Sequence, residues 1–206
     1  MKRERIGIFG GTFHPPHKGH REAAELFLDK AALDKLLIIP TFLPPHKELA
    51  EGASAEDRLA MTERCFWFLS SKIEVSDMEI QTGEARYTLS TLRELAEKYP
   101  EAELFLYVGS DMLYSFETWH KFEEIFPLCT LCASAREDDR ADVLKHLHYL
   151  KEQYGAEVLY LGESIPVSSG EVREALARGE FHDLLPYAVR DYIVSHSLYG
   201  VTGKEQ

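Results

Sequence analysis

The sequence has few cysteines, no long apolar run and a deficit of basic residues, and each shortage excludes a class of protein. Its three cysteines, Cys65, Cys129 and Cys132, are too few and too irregularly spaced for a disulfide framework. No apolar run approaches the ~18 residues of a membrane span. The net charge is −12, from 35 acidic and 23 basic residues, whereas nonspecific binding to nucleic acid or anionic membranes needs a basic surface. We therefore expect neither a nucleic-acid partner nor a membrane partner.

The sequence does contain enough apolar material for one domain. Of its 206 residues 45% are hydrophobic, so we expect a single domain over residues 1–206, with a helical C-terminal portion from about 168 to 206. The charged start MKRER leads directly into a strand and leaves no room for the apolar part of a signal peptide. We therefore expect a cytoplasmic protein with reduced thiols. Cys129 and Cys132 lie in a strand-like run, where positions three apart face opposite sides, and we interpret both as buried structural residues.

Short apolar segments alternate with amphipathic segments along the chain. The predicted strands are 5–9, 35–39, 73–76, 103–108, 128–134 and 157–161. The predicted helices cover 55–69 behind Ser54-x-x-Asp57, 89–99 behind Thr88, a segment behind Ser168-x-x-Glu171, which resembles a capping box, and a C-terminal segment from Pro186. This alternation predicts an α/β fold, a Rossmann-like doubly wound parallel sheet with helices on both faces. In such a sheet, ligands bind at the carboxyl ends of the strands.

The most informative segment follows the first predicted strand. From Gly10 to His20 its sequence is GGTFHPPHKGH. The glycine turn exposes backbone N–H groups, and a later glycine, Gly19, opens a helix whose N-terminus favours anions. The imidazoles of His17 and His20 flank the phosphate position. The spacing differs from both the Gly-x-Gly-x-x-Gly of dinucleotide domains and the Gly-Lys-Ser/Thr ending of P-loops, so neither of those sites is expected.

Three further segments at predicted strand ends each allow a functional and a structural interpretation. Pro40 to Lys47 is a stiff loop, because its prolines fix φ, and it either presents Lys47 to a ligand or is a surface turn. Asp111, in Gly109-Ser110-Asp111, suits a ribose hydroxyl or a magnesium-bound water, or else caps a helix. Trp119 offers a flat face to a heteroaromatic ring, or packs in the core.

A fourth segment combines hydroxyl groups with a cation. Ser168 and Ser169 begin a predicted helix, and Arg173 follows one turn later. This arrangement suits a polyphosphate, because helix N-termini and guanidinium groups both bind phosphate oxygens. A capped helix with an exposed arginine is the structural alternative.

The order of these motifs resembles that of the adenylyl- and cytidylyltransferase superfamily, with His17-Lys18-Gly19-His20 as the His-x-Gly-His signature. Within it, nearly the whole chain resembles the bacterial nicotinate-nucleotide adenylyltransferases. The segments that carry the resemblance are the opening loop, Pro44-Pro45-His46-Lys47, Tyr87 to Leu92, Gly109-Ser110-Asp111, Trp119 to Ile125, Ser168 to Arg173 and Leu185 to Tyr199. Two positions depart from it, His14 where Asp or Asn is usual and Gly170 where Thr is usual.

The resemblance implies an enzyme that transfers the adenylyl group of ATP to nicotinate mononucleotide, giving nicotinate adenine dinucleotide and pyrophosphate in NAD biosynthesis. Mg²⁺ would arrive with ATP, and no protein side chain is assigned as a metal ligand. The implied catalytic residues are His17, His20 and Arg173. The implied ATP-binding residues are Gly10, Gly11, Thr12, Phe13, Gly19, Ser168, Ser169 and Arg136. The implied residues for the second substrate are Lys47, Thr88, Gly109, Asp111, Trp119 and His120, with Trp119 on the pyridine ring and backbone N–H groups near Thr88 and His120 on its carboxylate.

Three alternatives stay open at this point. His14, His17 and His20 could form a zinc cluster in a hydrolase, although zinc sites usually recruit carboxylates and none lies nearby in the sequence. The chain could be a regulatory protein that binds nucleotides without turnover, since a fold alone does not imply activity. It could also be another adenylyl- or cytidylyltransferase, acting on pantetheine phosphate or on nicotinamide mononucleotide.

Overall fold

A computed structural model describes residues 2–43, 52–136, 138–165 and 167–201 of the chain. Within these ranges the strands are β1 (Arg5–Gly11), β2 (Lys35–Pro40), β3 (Ile73–Val75), β4 (Glu103–Val108), β5 (Thr130–Ala135) and β6 (Val158–Glu163). They form one sheet in the order β3-β2-β1-β4-β5-β6, and each neighbouring pair is parallel. The predicted doubly wound parallel sheet is therefore confirmed, with strand ends that differ from the prediction by up to two residues.

The helices that connect the strands also follow the sequence signals closely. They are α1 (Lys18–Lys30), α2 (Ala55–Phe66), α3 (Thr88–Lys98), α4 (Ser110–Leu113), α5 (Arg140–Tyr154), α6 (Ser169–Arg178) and α7 (Tyr187–Ser195), with short 3-10 turns at Phe116–Thr118, Phe122–Glu124 and Leu198–Gly200. None of the helices in the described ranges is long and apolar enough to cross a membrane.

The predicted helix starts are confirmed in two cases and corrected in two. Ser54 and Ser168 both form capping boxes, each accepting a hydrogen bond from the backbone N–H three residues on. Thr88 is the first residue of α3 rather than its cap, and Pro186 caps α7 rather than opening it. Helix α2 ends at Phe66, short of the predicted residue 69, because the backbone turns out of helical geometry at the next residue (φ −52°, ψ 127°).

Two apolar cores cover the two faces of the sheet. Phe27, Met61 and Val172, from α1, α2 and α6, belong to one core, whereas Leu92 and Leu147, from α3 and α5, belong to the other. Alternate residues of a strand face opposite sides, so the strands supply both cores. The three cysteines are free and buried, as predicted, and burial raises the pKa of the Cys65 and Cys129 thiols to about 12.

The order of strands in the sheet changes direction at β1, and β1 and β4 separate beyond this point. On one side β1 pairs with β2 from Ile6 through Gly11, whereas on the other side its pairing with β4 ends at Ile8. The last residues of β1 therefore border a crevice between β1 and β4. This is the topological switch point of a doubly wound sheet, where ligands bind.

Candidate active site

A cavity of about 450 Å³ occupies this crevice. Its walls come from the end of β1, the start of α1, the end of β4 and the start of α6. Most of the residues implied by the sequence line it, namely Gly10, Gly11, Thr12, Phe13, His17, Gly19, His20, Gly109, Asp111, Trp119, Arg136, Ser168, Ser169 and Arg173. Residues far apart in the sequence thus meet in one space.

The loop between β1 and α1 is held by side chains from two other helices. Arg58 of α2 donates to the carbonyl oxygen of Thr12 at 2.9 Å. Arg173 of α6 donates from Nη1 to the carbonyl oxygen of His14 at 2.7 Å, and the Ser169 hydroxyl donates to that of Pro15 at 3.1 Å. The loop that borders the cavity therefore depends on tertiary contacts for its shape.

His17 and His20 lie face to face at the start of α1, with ring centroids 3.7 Å apart. The backbone N–H of His17 donates to Nδ1 of His20 at 3.1 Å. This hydrogen bond assigns the proton of a neutral His20 ring to Nε2, which leaves an N–H donor on that atom. Burial lowers the pKa of His17 to about 4, and burial together with the neighbouring His17 lowers that of His20 well below its usual value. Both rings are therefore neutral hydrogen-bond donors near pH 7.

Phe13 packs against one ring of this pair, that of His20. Its side chain is only 1% exposed and meets the His20 ring edge-on at 4.9 Å. Its backbone has a positive φ of 49°. The phenyl ring thus packs in the core, and Phe13 also lines the cavity, as expected.

His14 is oriented differently from the other two histidines. Its ring packs edge-on against Tyr199, at 5.1 Å between centroids, and only 3% of the residue is exposed. Burial, aided by the positive charges of Arg173 and Arg58, lowers its pKa to about 4. Among the described residues no group of three or more His, Cys, Asp or Glu side chains could hold a metal ion, so the zinc alternative gains no support.

The start of α6 forms the wall opposite the histidines. Ser168 caps the helix, and the turn from Ser168 to Gly170 lines the cavity together with Arg173 and Arg136. A Cβ added at Gly170 would meet only the Ser168 hydroxyl, at 3.7 Å, so glycine is not required there by space. A helix N-terminus and two guanidinium groups thus face the same volume as the imidazoles, as an anionic ligand requires.

A second cavity, of about 220 Å³, adjoins the first. It is lined by Thr88, Trp119 and His120, and the two cavities share Trp119 and Tyr107 in their walls. Trp119 packs against Phe116, and His120 stacks on Tyr87 at 4.4 Å. The three residues implied for the pyridine end of the second substrate therefore lie together, beside the larger cavity.

The end of β4 forms the floor between the cavities. Gly109 caps the short helix α4, and Asp111 lies in its first turn at the edge of the larger cavity. The Tyr107 hydroxyl bonds to the buried Ser134 at 2.7 Å, and burial raises its pKa to about 12. Lys47, also expected near this site, lies outside the described residues.

Three charged residues near the site escaped the sequence analysis. Arg58 is 0% exposed, and its spacing from Met61, Thr62 and Cys65 places it on the buried stripe of α2, which is the signal that identifies it. Glu79 and Arg86 line the second cavity, although nothing in their local sequence marks them.

The sequence matches the model of the cytidylyltransferase-like family over residues 8–175. It is 37% identical over 201 residues to a probable nicotinate-nucleotide adenylyltransferase of Gloeobacter violaceus, covering 96% of this chain and 97% of that protein. A protein of Desulfitobacterium hafniense with the same description is 37% identical over 203 residues, covering 96% and 97%.

The fold is similar to that of solved structures. A nicotinic acid mononucleotide adenylyltransferase of Plasmodium falciparum, complexed with NaAD, superposes with a TM-score of 0.79 at 19% identity, covering 98% of this chain and 100% of that one. A putative nicotinate-nucleotide adenylyltransferase of Vibrio parahaemolyticus gives a TM-score of 0.69 at 21% identity, covering 97% of each chain. At these identities the likeness concerns the fold.

Proposed function

The chain belongs to the cytidylyltransferase-like family and, within it, to the nicotinate-nucleotide adenylyltransferases, and from this premise we propose that its two adjoining cavities bind ATP and nicotinate mononucleotide side by side. The enzyme is a nucleotidyltransferase. It transfers the adenylyl group of ATP to nicotinate mononucleotide, with nicotinate adenine dinucleotide and pyrophosphate as products, a step of NAD biosynthesis. The observation that carries the roles below is that His17, His20 and Arg173 line one cavity at the switch point of the sheet.

The attacking group is the phosphate of nicotinate mononucleotide. Its second pKa is about 6, so it is largely ionised near neutral pH and needs no dedicated general base. One of its oxygens bonds to the α-phosphorus of ATP while the bond from that phosphorus to the departing pyrophosphate breaks. The protein must align these groups and stabilise the charge on the phosphates.

The neutral histidines suit the stabilisation of charge. The Nε2–H of His20 donates to the phosphates, and His17 supports the ring of His20 by stacking and through its backbone N–H. Neutral donors in a buried site need no proton transfer and no solvent rearrangement during the reaction.

The start of α6 holds the triphosphate tail of ATP. Arg173 uses one N–H for the carbonyl of His14, and a guanidinium group carries five, so donors remain for phosphate oxygens. The hydroxyls of Ser168 and Ser169 and the N-terminus of α6 add further donors. The same arginine thus shapes the loop and binds the substrate.

The second cavity receives the pyridine ring, which stacks on Trp119, with N–H groups near Thr88 and His120 directed to its carboxylate. A divalent cation accompanies the nucleotide, and we assign it as Mg²⁺, which neutralises phosphate charge. Asp111, at the edge of the larger cavity, would offer an oxygen to a water bound to such an ion. The buried free thiols fit the reducing cytoplasm, which we keep as the expected location.

The test is to incubate the purified protein with ATP, Mg²⁺ and either nicotinate or nicotinamide mononucleotide, and to measure pyrophosphate release and the dinucleotide formed. We expect nicotinate adenine dinucleotide and pyrophosphate in equal amounts, with nicotinate preferred. Equal use of both mononucleotides would indicate a dual-specificity enzyme. No product from either would refute the assignment and direct the assay to phosphopantetheine and CTP-linked substrates.

A further inference from the structure

The cavity assigned to the pyridine ring contains a half-buried arginine. Arg86 lies two residues before the first residue of α3, and it lines this cavity together with Trp119 and His120. Only 19% of the Arg86 side chain is exposed. A charged group at this position is costly unless an anion pairs with it.

The partners of Arg86 leave much of its hydrogen-bonding capacity unused. Its Nη2 donates to the carbonyl oxygen of Ser90 at 3.3 Å and to Oε2 of Glu94 at 2.6 Å. The Glu94 side chain is 52% exposed, so this ion pair is screened by water and contributes little. Within the described ranges, Nε and Nη1 form no further hydrogen bond. These donors are free for a ligand in the cavity.

A second charged residue, Glu79, lines the same cavity as Arg86. Glu79 is only 6% exposed and accepts a hydrogen bond from the Thr91 hydroxyl at 2.5 Å. Burial raises its pKa, and the positive charge of Arg86 lowers it, which places the two groups within electrostatic reach of each other. Without Arg86, a second carboxylate entering this cavity would meet mainly negative charge.

We infer that Arg86 determines the preference for the acid over the amide, by pairing its guanidinium with the pyridine carboxylate of nicotinate mononucleotide. This inference rests on the proposed function. A carboxylate gains a charge-assisted hydrogen bond from Arg86, whereas the neutral carboxamide of nicotinamide mononucleotide gains much less. Selectivity is the difference between these two interactions, so a single residue can set it.

The test compares Arg86→Met with the wild type for both mononucleotides, measuring kcat/KM and, by calorimetry, the Kd of each. We expect kcat/KM for nicotinate mononucleotide to fall roughly tenfold or more, as for loss of a hydrogen bond to a charged group. The values for nicotinamide mononucleotide should stay within about twofold. Arg86→Lys should restore part of the preference, because it restores the charge.

Arg93→Met is the matched control. Arg93 lies on α3, shortly after Arg86 in the chain, and it also pairs with a glutamate, Glu124, but it does not line the cavity. We expect its ratio between the two substrates to match that of the wild type. Melting temperatures separate folding defects from changes in selectivity, and Arg86→Gln serves if the methionine variant does not fold.

The outcomes separate the two hypotheses. A wild-type protein that makes no dinucleotide from either substrate would refute the proposed function. A wild type that makes it, with Arg86 variants that lose both substrates by the same factor or leave their ratio unchanged, would refute the role of Arg86 alone. If the wild type does not turn over nicotinamide mononucleotide, the Kd values of the two mononucleotides still show whether the Arg86 variants change the preference.

Discussion

Replacing Arg58 by methionine removes the buried cation that joins the loop between β1 and α1 to the residues after β2. The guanidinium donates to the carbonyl oxygens of Thr12 at 2.9 Å, of Thr41 at 2.6 Å and of Phe42. Within the described part of the chain it pairs with no carboxylate, and it is 0% exposed. Methionine has a similar length and fills the space without the donors, so the variant isolates the hydrogen bonds.

The expected loss follows from the three carbonyl groups. A fully buried carbonyl left without a donor costs about 1–3 kcal/mol, and these three are only partly buried, so water replaces part of what they lose. Burial of a cation without a counter-ion is itself unfavourable, and its removal offsets part of this cost. We therefore take the lower end, about 3 kcal/mol of unfolding free energy in total, which for a chain of this size corresponds to a melting temperature lower by roughly 6–12 °C.

Urea denaturation and thermal melting measure this loss, and steady-state kinetics measure its effect on the site. Because Arg58 positions the loop without lining either cavity, we also expect kcat to fall by up to roughly 10²-fold through misplacement of the loop. Arg64→Met is the control on the same helix. Arg64 is exposed, and within the described residues its side chain makes one hydrogen bond, to the carbonyl of Ala60, and lies over the Tyr192 ring at 4.5 Å, away from the loop. An Arg58→Met protein within 1 kcal/mol of the wild type, with unchanged kcat, would refute the reasoning.

Three further predictions concern the loop and its surroundings. His20→Ala should lower kcat by roughly 10²-fold, because it removes a donor to the phosphates; an unchanged kcat in steady-state assays would exclude that role. Gly52→Ala should lower the free energy of unfolding by about 1–3 kcal/mol in urea titrations, since the new Cβ would lie 2.5 Å from the Tyr199 ring at a φ of +138°. Gly170→Ala, where the new Cβ has space, should leave that free energy unchanged or raise it by up to ~1 kcal/mol. The pKa of His14 lies near 4 in the folded state against an unfolded value of 6.5, so the unfolded state binds more protons between these values. Stability should therefore fall as pH drops from 6.5 to 4, and His14→Asn should flatten this dependence in melting curves recorded across that range.

Much of the fold was predictable because local signals and the global fold agree. Apolar segments of strand length alternate with capped amphipathic helices, and Ser54 and Ser168 cap helices where their spacing to Asp57 and Glu171 indicated. The predicted end of α2 lay too far along the chain. Trp67 and Phe68 are apolar, so in the sequence they resemble a continuation of the buried stripe of α2, whereas in the structure both are exposed. The interpretation as a single domain stays a prediction.

The site was predictable where one short segment carries several functional groups. Gly10 to His20 holds a glycine turn, three imidazoles and a helix start, and the structure assembles them around one cavity. The roles of individual residues stay predictions. Phe13 is an example: it lines the cavity, and its ring also packs against His20 in the core. A motif identifies a position but not the direction of its side chain.

From the sequence, local periodicity and turn chemistry were enough to predict the strands, most of the helices, the glycine turn after β1 and the burial of the cysteines. The placement of Arg58, Arg86 and Glu79 came from the tertiary structure. Arg58 bonds to Thr12, 46 residues away, and Arg86 and Glu79 line the second cavity together with Trp119. The hydrogen bond from Arg173 of α6 to the carbonyl oxygen of His14, in the loop after β1, joins residues that are 159 positions apart in the sequence. Such contacts depend on packing in three dimensions, for which no local pattern of residues provides a signal.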